Sequence, residues 1–198
     1  MKKLKTIMSW LLPIAIGLLI GIAVRQYFVS ASLIKGTSMQ PNLQNSEVVS
    51  VFKTLPIHRN SVIIFNAHGE DPKATSQTDY YVKRVIGLPG DTVSSNNGTI
   101  YINGQRLNQN YINQYQRGQG TGNWDLRSLS AHWAKDQNAV KVPRNHYFVL
   151  GDHRSVSNDS RYWGFVDKDK VLGVVKTAPF DKNAAKINHS SAALTGLN

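Results

Sequence analysis

From Ile7 to Val24 the chain runs for 18 residues without a charge, as IMSWLLPIAIGLLIGIAV. A helix of that length rises about 27 Å, close to the hydrocarbon thickness of a bilayer. The run is apolar on every face, which fits a soluble core helix poorly. Ser9 and Pro13 are its only breaks, and a proline near the start of a spanning helix is tolerated. Lys2, Lys3 and Lys5 precede the run. By the positive-inside rule they set residues 1–6 in the cytoplasm, residues 7–29 as a membrane anchor, and the rest outside. Trp10 and Tyr27 stand near the two ends, where amphipathic rings favour the interface. The alternative is a cleaved signal peptide, for which Val29-Ser30-Ala31 supplies a small-residue cleavage site. Against it, the run exceeds the roughly 7–15 apolar residues of such a segment.

Charge has to be read with that anchor in mind. The net charge is +11, and residues 1–35 hold five basic residues and no acid. A basic chain suggests nucleic acid or an anionic surface as partner. Residues 36–198 carry 18 basic against 12 acidic residues without a basic run, and no RNP, zinc-finger or arginine-rich signature appears. Contact of Arg25 and Lys35 with anionic headgroups is therefore expected, and no nucleic-acid partner. The chain has no cysteine, which removes disulfide frameworks, Cys-ligated zinc, iron–sulfur clusters and cysteine nucleophiles. None of the six histidines has metal-ligand spacing such as HExxH, or a triad context.

Beyond residue 30 the pattern is that of strands. Glu47–Phe52, Ser61–Phe65, Tyr80–Ile86, Thr99–Ile102, His146–Leu150 and Val171–Val175 are short, β-branched and bounded by turn residues. Asn103-Gly104 is a strong hairpin signal. Many strands at short spacing predict an antiparallel all-β domain over residues 30–180. Residues 106–140 are Asn/Gln-rich and weakly patterned, and read as a long loop or small insertion, with Trp124 and Trp133 as local packing anchors. Residues 181–198 read as a disordered tail.

With cysteine excluded, serine is the natural nucleophile of a hydrolase. Ser38 lies in Ile34-Lys35-Gly36-Thr37-Ser38-Met39-Gln40-Pro41-Asn42-Leu43, a Gly/Pro-bounded turn just past the apolar run. Such a turn exposes a hydroxyl and leaves backbone N–H groups for an oxyanion, although an ordinary serine turn has the same composition. Lys83 sits mid-strand in YYVKRVIG. Alternation puts Tyr81, Lys83 and Val85 on one face and Val82, Arg84 and Ile86 on the other. A lysine held against an apolar surface loses hydration, and its pKa falls toward a value useful in a general base. The stretch Gly151 to Gly164 packs two acids, two arginines and three serines into one loop, as a rigid, ion-paired turn would.

In type, order and spacing these three motifs resemble those of bacterial type I signal peptidases. Gly36 to Leu43 resembles the family's nucleophile box, Tyr81 to Asp91 its lysine box, and Gly151 to Gly164 its Gly-Asp-Asn-Arg…Ser-x-Asp-Ser-Arg box. Ser61–Phe65 matches the remaining box less specifically. With the anchor, the resemblance covers roughly residues 1–180, in a form similar to the short Gram-positive enzymes. It implies a serine endopeptidase that removes signal peptides from exported preproteins after small residues, without cofactor or metal. Ser38 would be the nucleophile and Lys83 its general base. Ser157 would hydrogen-bond and orient the Lys83 amine, and Asp152, Arg154, Asp159 and Arg161 would hold the loop. Ile34, Gly36, Met39, Leu43, Tyr81 and Val82 would be substrate-binding positions. The implied partners are preprotein signal peptides and the phospholipid membrane, with the chain acting as a monomer near the secretion translocon.

Three positions depart from the family pattern. Gly36 stands where some relatives carry an oxyanion-donating serine, so the hole would rest on the Ser38 backbone N–H with other backbone groups or water. Asn42 replaces a usual threonine, and His153 a usual asparagine; neither removes a group with an assigned chemical role, so activity is expected to survive both. Competing readings are a non-catalytic relative, a self-cleaving Ser/Lys regulator and a nucleic-acid binder. They lack, respectively, a lost dyad residue, a DNA-binding domain and any supporting motif.

Overall fold

The computed structural model describes residues 2–188. Helix α1 (Lys2–Tyr27) leads into a domain of short strands. Its Trp10–Tyr27 stretch has mean hydropathy 1.6 and is not buried against the rest of the protein. By length and composition it is long and apolar enough to cross a membrane. Lys53 ties it to the domain: its Nζ donates to the Gln26 carbonyl at 2.6 Å, and its backbone N–H to the Phe28 carbonyl at 2.9 Å. A cation on the last carbonyls of a helix both satisfies them and opposes the helix dipole.

After α1 come β1 (Val29–Leu33), β2 (Val48–Phe52), β3 (Val62–Asn66) and β4 (Tyr80–Gly87). Then follow β5 (Val93–Asn96), β6 (Thr99–Ile102), β7 (Gln105–Arg106), α2 (Gln114–Gly118), β8 (Trp124–Asp125) and α3 (Leu126–Ser130). The chain closes with β9 (His146–Leu150), α4 (Ser160–Trp163), β10 (Val166–Asp167), β11 (Val171–Lys176) and α5 (Ala184–Asn188). Seven strands form one sheet in the order β1-β2-β11-β3-β4-β9-β10, and four form a second in the order β7-β6-β5-β8. Every pairing between these strands is antiparallel, the fold class expected from the sequence.

Strand β4 organises the interior because both of its faces are covered. Val82 packs with Met39, Leu43, Val49, Ile64 and Ile187. Ile86 packs with Phe148 and Leu150 against Val93, Ile100, Ile102 and Trp133 of the second unit. On the other face, Val85 lies among Ile63, Phe65, Val149 and Trp163. Lys83 and Arg84 are consequently both buried, at 4% and 1% exposure, on opposite faces.

Three boundaries differ from the sequence reading. Strand β1 starts at Val29, and Val29, Ser30 and Ala31 pair in register with Phe52, Val51 and Ser50; the segment that resembles a cleavage site is sheet. Of the two alternatives for residues 106–140, the structure has the small insertion and not one long loop. These residues carry α2, β8 and α3, and set Leu107, Tyr111, Ile112, Leu126 and Trp133 into the core. These apolar residues enter singly, so neither strand nor helix periodicity marks them. The expected tail is ordered as far as Asn188: α5 buries Ala184 and Ile187, because Ile187 completes the cluster beneath Met39 and Leu43. The rest of that tail, 189–198, lies outside the described residues.

If α5 is part of the core, Ile187→Ala will cost about 2–4 kcal/mol, the usual range for emptying such a site. The check is the denaturant midpoint of the detergent-solubilised full chain, followed by tryptophan fluorescence. An unchanged midpoint would make α5 an appendage.

Candidate active site

The loop from Gly36 to Leu43 leaves β1 as a tight turn in which Gln40 N–H bonds the Thr37 carbonyl and Leu43 N–H the Met39 carbonyl. Met39 and Leu43 are anchored in the core at 1% and 0% exposure, which lifts Ser38 to a half-buried position between them and solvent. Lys83 reaches it across the interior: Nζ lies 2.9 Å from Ser38 Oγ. The amine also sits 5.2 Å from the Tyr81 ring centroid. Burial pushes the Lys83 pKa down to about 8, with Arg161 in the same direction and Asp159, Asp71 and Asp152 opposing. The cause is desolvation: no carboxylate pairs with this ammonium among the described ion pairs. A lone pair on Nζ at this distance can take the Ser38 hydroxyl proton near neutral pH.

The third motif surrounds this pair. Gly151 ends β9 at a point where a Cβ would meet Ser157 Oγ at 2.2 Å and the Ser38 carbonyl at 2.6 Å; only glycine lets the two loops cross there. The Ser38 carbonyl accepts the His153 N–H at 3.0 Å, and His153 Nδ1 lies 3.3 Å from the Thr37 carbonyl. Asp159 caps α4, takes the Gly151 N–H at 2.9 Å and pairs with Arg161 through both oxygens, at 2.8 and 2.9 Å. Arg161 outweighs the burial that would otherwise raise the Asp159 pKa, and holds it below the usual carboxylate range. Arg161 also donates to the Arg154 carbonyl at 2.8 Å.

Asp152 faces away from that pair. It receives a bidentate contact from Arg84, Nε to Oδ1 at 2.8 Å and Nη2 to Oδ2 at 2.7 Å. Asn42 Nδ2 donates to Asp152 Oδ2 at 2.8 Å and to the Tyr111 carbonyl at 2.7 Å. Arg154 has no carboxylate partner among the described residues; it donates to the Gly151 carbonyl and to Tyr111 Oη, both at 3.1 Å.

A groove of about 600 Å³ runs to the Ser38–Lys83 pair, lined by residues 31–35 on one side and 78–83 on the other. Its walls are two free strand edges. Among the described residues, strand β1 pairs only with β2, and β4 pairs with β9 from Arg84 onward, which leaves the edge at 80–83 open.

Of the positions named from sequence, the fold brings Ser38, Lys83, Ile34, Met39, Tyr81 and Val82 together on this groove. Leu43 is in the core beneath it, so it supports the wall instead of forming it. Gly36 is exposed, off the lining, with its N–H on Asn45 Oδ1 at 2.9 Å. Asp152, Arg154, Asp159 and Arg161 are all buried in the loop network. Ser157 is buried but makes no hydrogen bond to Lys83; its hydroxyl helps hold the Asp159 carboxylate ionised without completing a bond of good geometry. Sequence reasoning missed Arg84 as the partner of Asp152, and missed Tyr111. It also treated Asn42 and His153 as neutral departures, whereas both tie the Ser38 loop to the third motif.

Comparison with known proteins agrees with this geometry. Residues 7–179 match the family described as signal peptidase, peptidase S26. Signal peptidase IB of Staphylococcus aureus (strain COL) is 37% identical over 179 residues, covering 86% of this chain and 88% of that protein. Signal peptidase I P of Bacillus subtilis subsp. natto is 34% identical over 178 residues, covering 87% and 89%. A crystal structure of a signal peptidase I from Enterococcus faecalis V583 superposes with a TM-score of 0.50 and 34% identity, over 61% of this chain and 97% of that one. With most of its length matched by the family and by these relatives, the chain belongs to the signal peptidase I family of serine peptidases, peptidase S26.

Proposed function

We propose that this signal peptidase works as a Ser38/Lys83 dyad, held at the outer membrane surface by α1, and cuts preproteins after small residues. The observation that carries the reading is the 2.9 Å contact between Ser38 Oγ and a buried Lys83 Nζ. Neutral Lys83 accepts the Ser38 hydroxyl proton as Oγ attacks the scissile carbonyl. The resulting ammonium returns the proton to the leaving amine, and the C–N bond breaks to leave an acyl ester on Ser38. Lys83 then takes a proton from water, whose oxygen attacks the ester and releases Ser38. The Ser38 backbone N–H is the candidate oxyanion donor.

Two open edges on the groove favour a substrate in extended form, adding a strand between residues 31–35 and 80–83. Alternate side chains of such a strand point at Ile34, Met39, Tyr81 and Val82, a shallow apolar wall that leaves room for small groups. The anchor reading is supported by the uncovered apolar surface of α1 and by the use of Val29-Ser30-Ala31 in β1. The charges ahead of the apolar run favour a cytoplasmic amino terminus. Membrane and signal peptide are the partners this reading requires, and neither nucleic acid nor a second copy has a part in it.

Ser38→Ala and Lys83→Ala should each lower cleavage of a purified preprotein in detergent by at least about a thousandfold, the scale for losing a nucleophile or its base, while thermal unfolding stays cooperative. Substantial cleavage by Lys83→Ala would end the dyad reading. The pH dependence follows from burial. Only neutral Lys83 is a base, so kcat/KM should rise about tenfold per pH unit and flatten above about pH 8, where Lys83 has lost its proton. Stability has its own sign. Below about pH 8 Lys83 is protonated in folded and unfolded chains alike, and the folded state carries the full desolvation cost. Between about 8 and 10.5 only the unfolded chain keeps the proton, so the cost disappears. An inactive Lys83→Met variant should therefore be more stable than the parent at pH 6, by up to about 3 kcal/mol at 1.4 kcal/mol per pKa unit. The gap should close toward pH 10, and a constant gap would contradict the assignment. Protease added outside intact cells should digest the β-domain and spare an amino-terminal tag; digestion of the tag would invert the topology.

A further inference from the structure

An endopeptidase holds chain on both sides of the bond it cuts, and on the proposed reading the apolar wall of the groove takes the small residues before that bond. A second cavity, of about 300 Å³, lies between the Asp71 segment and the Ser157 loop. The partition between the two is a hydrogen-bonded strut. Tyr81 Oη donates to Asp71 Oδ2 at 2.9 Å, and Asn158 Nδ2 donates to the same oxygen. Tyr81 faces the groove, whereas Asp71 and Asn158 line the second cavity. Ser157 also lines it, and its hydroxyl shares the space over Gly151 with the Ser38 carbonyl. Ser157 therefore stands between this cavity and the Ser38 loop, and Tyr81 between the cavity and the groove.

The chemistry of the second cavity is that of a peptide subsite. Val156 and Tyr162, at 55% and 61% exposure, present apolar surface at its mouth that no core cluster uses. In its wall, Trp163 Nε1 and Ser157 Oγ are buried and have no hydrogen-bond partner among the described residues. A buried unsatisfied polar group costs about 1–3 kcal/mol, a cost that a backbone carbonyl or polar side chain of a bound peptide would remove. We infer that this cavity receives the first one or two residues on the carboxyl side of the scissile bond, the start of the mature protein. The mouth would select their side chains by size, while Trp163 and Ser157 would orient the peptide. This inference rests on the dyad reading, because the direction of the substrate is set by the bond that Ser38 attacks.

The test compares kcat/KM for two preprotein peptides that are identical up to the scissile bond and carry either alanine or phenylalanine in the two positions after it. Val156→Trp, an exposed site that tolerates bulk, should narrow the mouth and lower the Phe/Ala ratio about tenfold relative to the parent. Tyr162→Ala should widen it and raise the ratio. Ratios equal to the parent's in both variants, or a change confined to residues before the bond, would overturn the subsite while leaving the dyad in place. A parent enzyme that cleaves neither peptide, or that cleaves both after Ser38→Ala, would remove the dyad reading and this inference with it.

Discussion

The buried pair between Arg84 and Asp152 is the contact on which the most separate parts of this protein converge. Arg84 comes from the strand that carries Lys83, and Asp152 from the third motif. Asn42 joins from the Ser38 loop. Tyr111, from the second sheet unit, receives Asn42 on its carbonyl and stacks under the guanidinium at 4.1 Å. The remaining guanidinium N–H groups reach the Asn60 and Lys186 carbonyls at 2.9 and 3.0 Å, which brings in α5. Ion pairs buried this deeply barely repay their desolvation, but removing one partner strands a charge and costs several kcal/mol. Such a pair acts less as a source of stability than as a penalty on every arrangement in which these six segments fail to meet. The contact of Ser38 with Lys83, residues 45 positions apart, depends on that penalty.

Lys83 and Arg84 are neighbours in sequence that solve burial in opposite ways. Arg84 meets a carboxylate, which keeps it charged and raises its pKa despite desolvation. Lys83 meets a hydroxyl and an aromatic ring, and its pKa falls. Strand alternation is what makes this possible, because it sends adjacent side chains to opposite faces of a sheet covered on both sides. Chemistry suits the assignment as well. A guanidinium stays protonated in proteins and forms the better bidentate contact, whereas an ammonium gives up its proton readily once dehydrated. The same local sequence thus yields one structural cation and, in the proposed mechanism, one base.

Much of this was legible in the sequence, and the remainder fails to show there for physical reasons. The central strands declare themselves by β-branched runs, and Ser38, Lys83 and the Gly151–Gly164 loop by their residue types and order. The sequence reading could place Arg84 on the face opposite Lys83 but could not find Asp152, 68 positions away, because no local pattern encodes a long-range partner. Asn42 and His153 looked like neutral substitutions for the same reason. Residues 106–140 hide much of their share of the core because Leu107, Tyr111 and Leu126 enter it one at a time, whereas Trp133 was legible as a packing anchor. Leu43 was placed on the groove by motif position alone; its complete burial shows that a residue beside the nucleophile loop can serve by anchoring it. The expected bond from Ser157 to the Lys83 amine is absent, which leaves that amine with Ser38 as its hydrogen-bonding partner.

The groove edges complete the physical argument. Unpaired strand edges invite promiscuous association, and most proteins cover or shorten them. Here two stretches, 31–35 and 80–83, stay open at the point where Ser38 meets Lys83. The first of them begins within a few residues of the end of α1, and the Lys53 cap on the Gln26 carbonyl fixes that junction to the sheet. On the proposed anchoring, an apolar helix and an open edge joined so tightly would confine the edge to the surface where the helix leaves the bilayer. Few extended segments pass there except those emerging from the membrane themselves. On that reading, selectivity for exported chains would arise partly from where the edge is held, and the side-chain contacts of the groove would need only to recognise small residues to complete it.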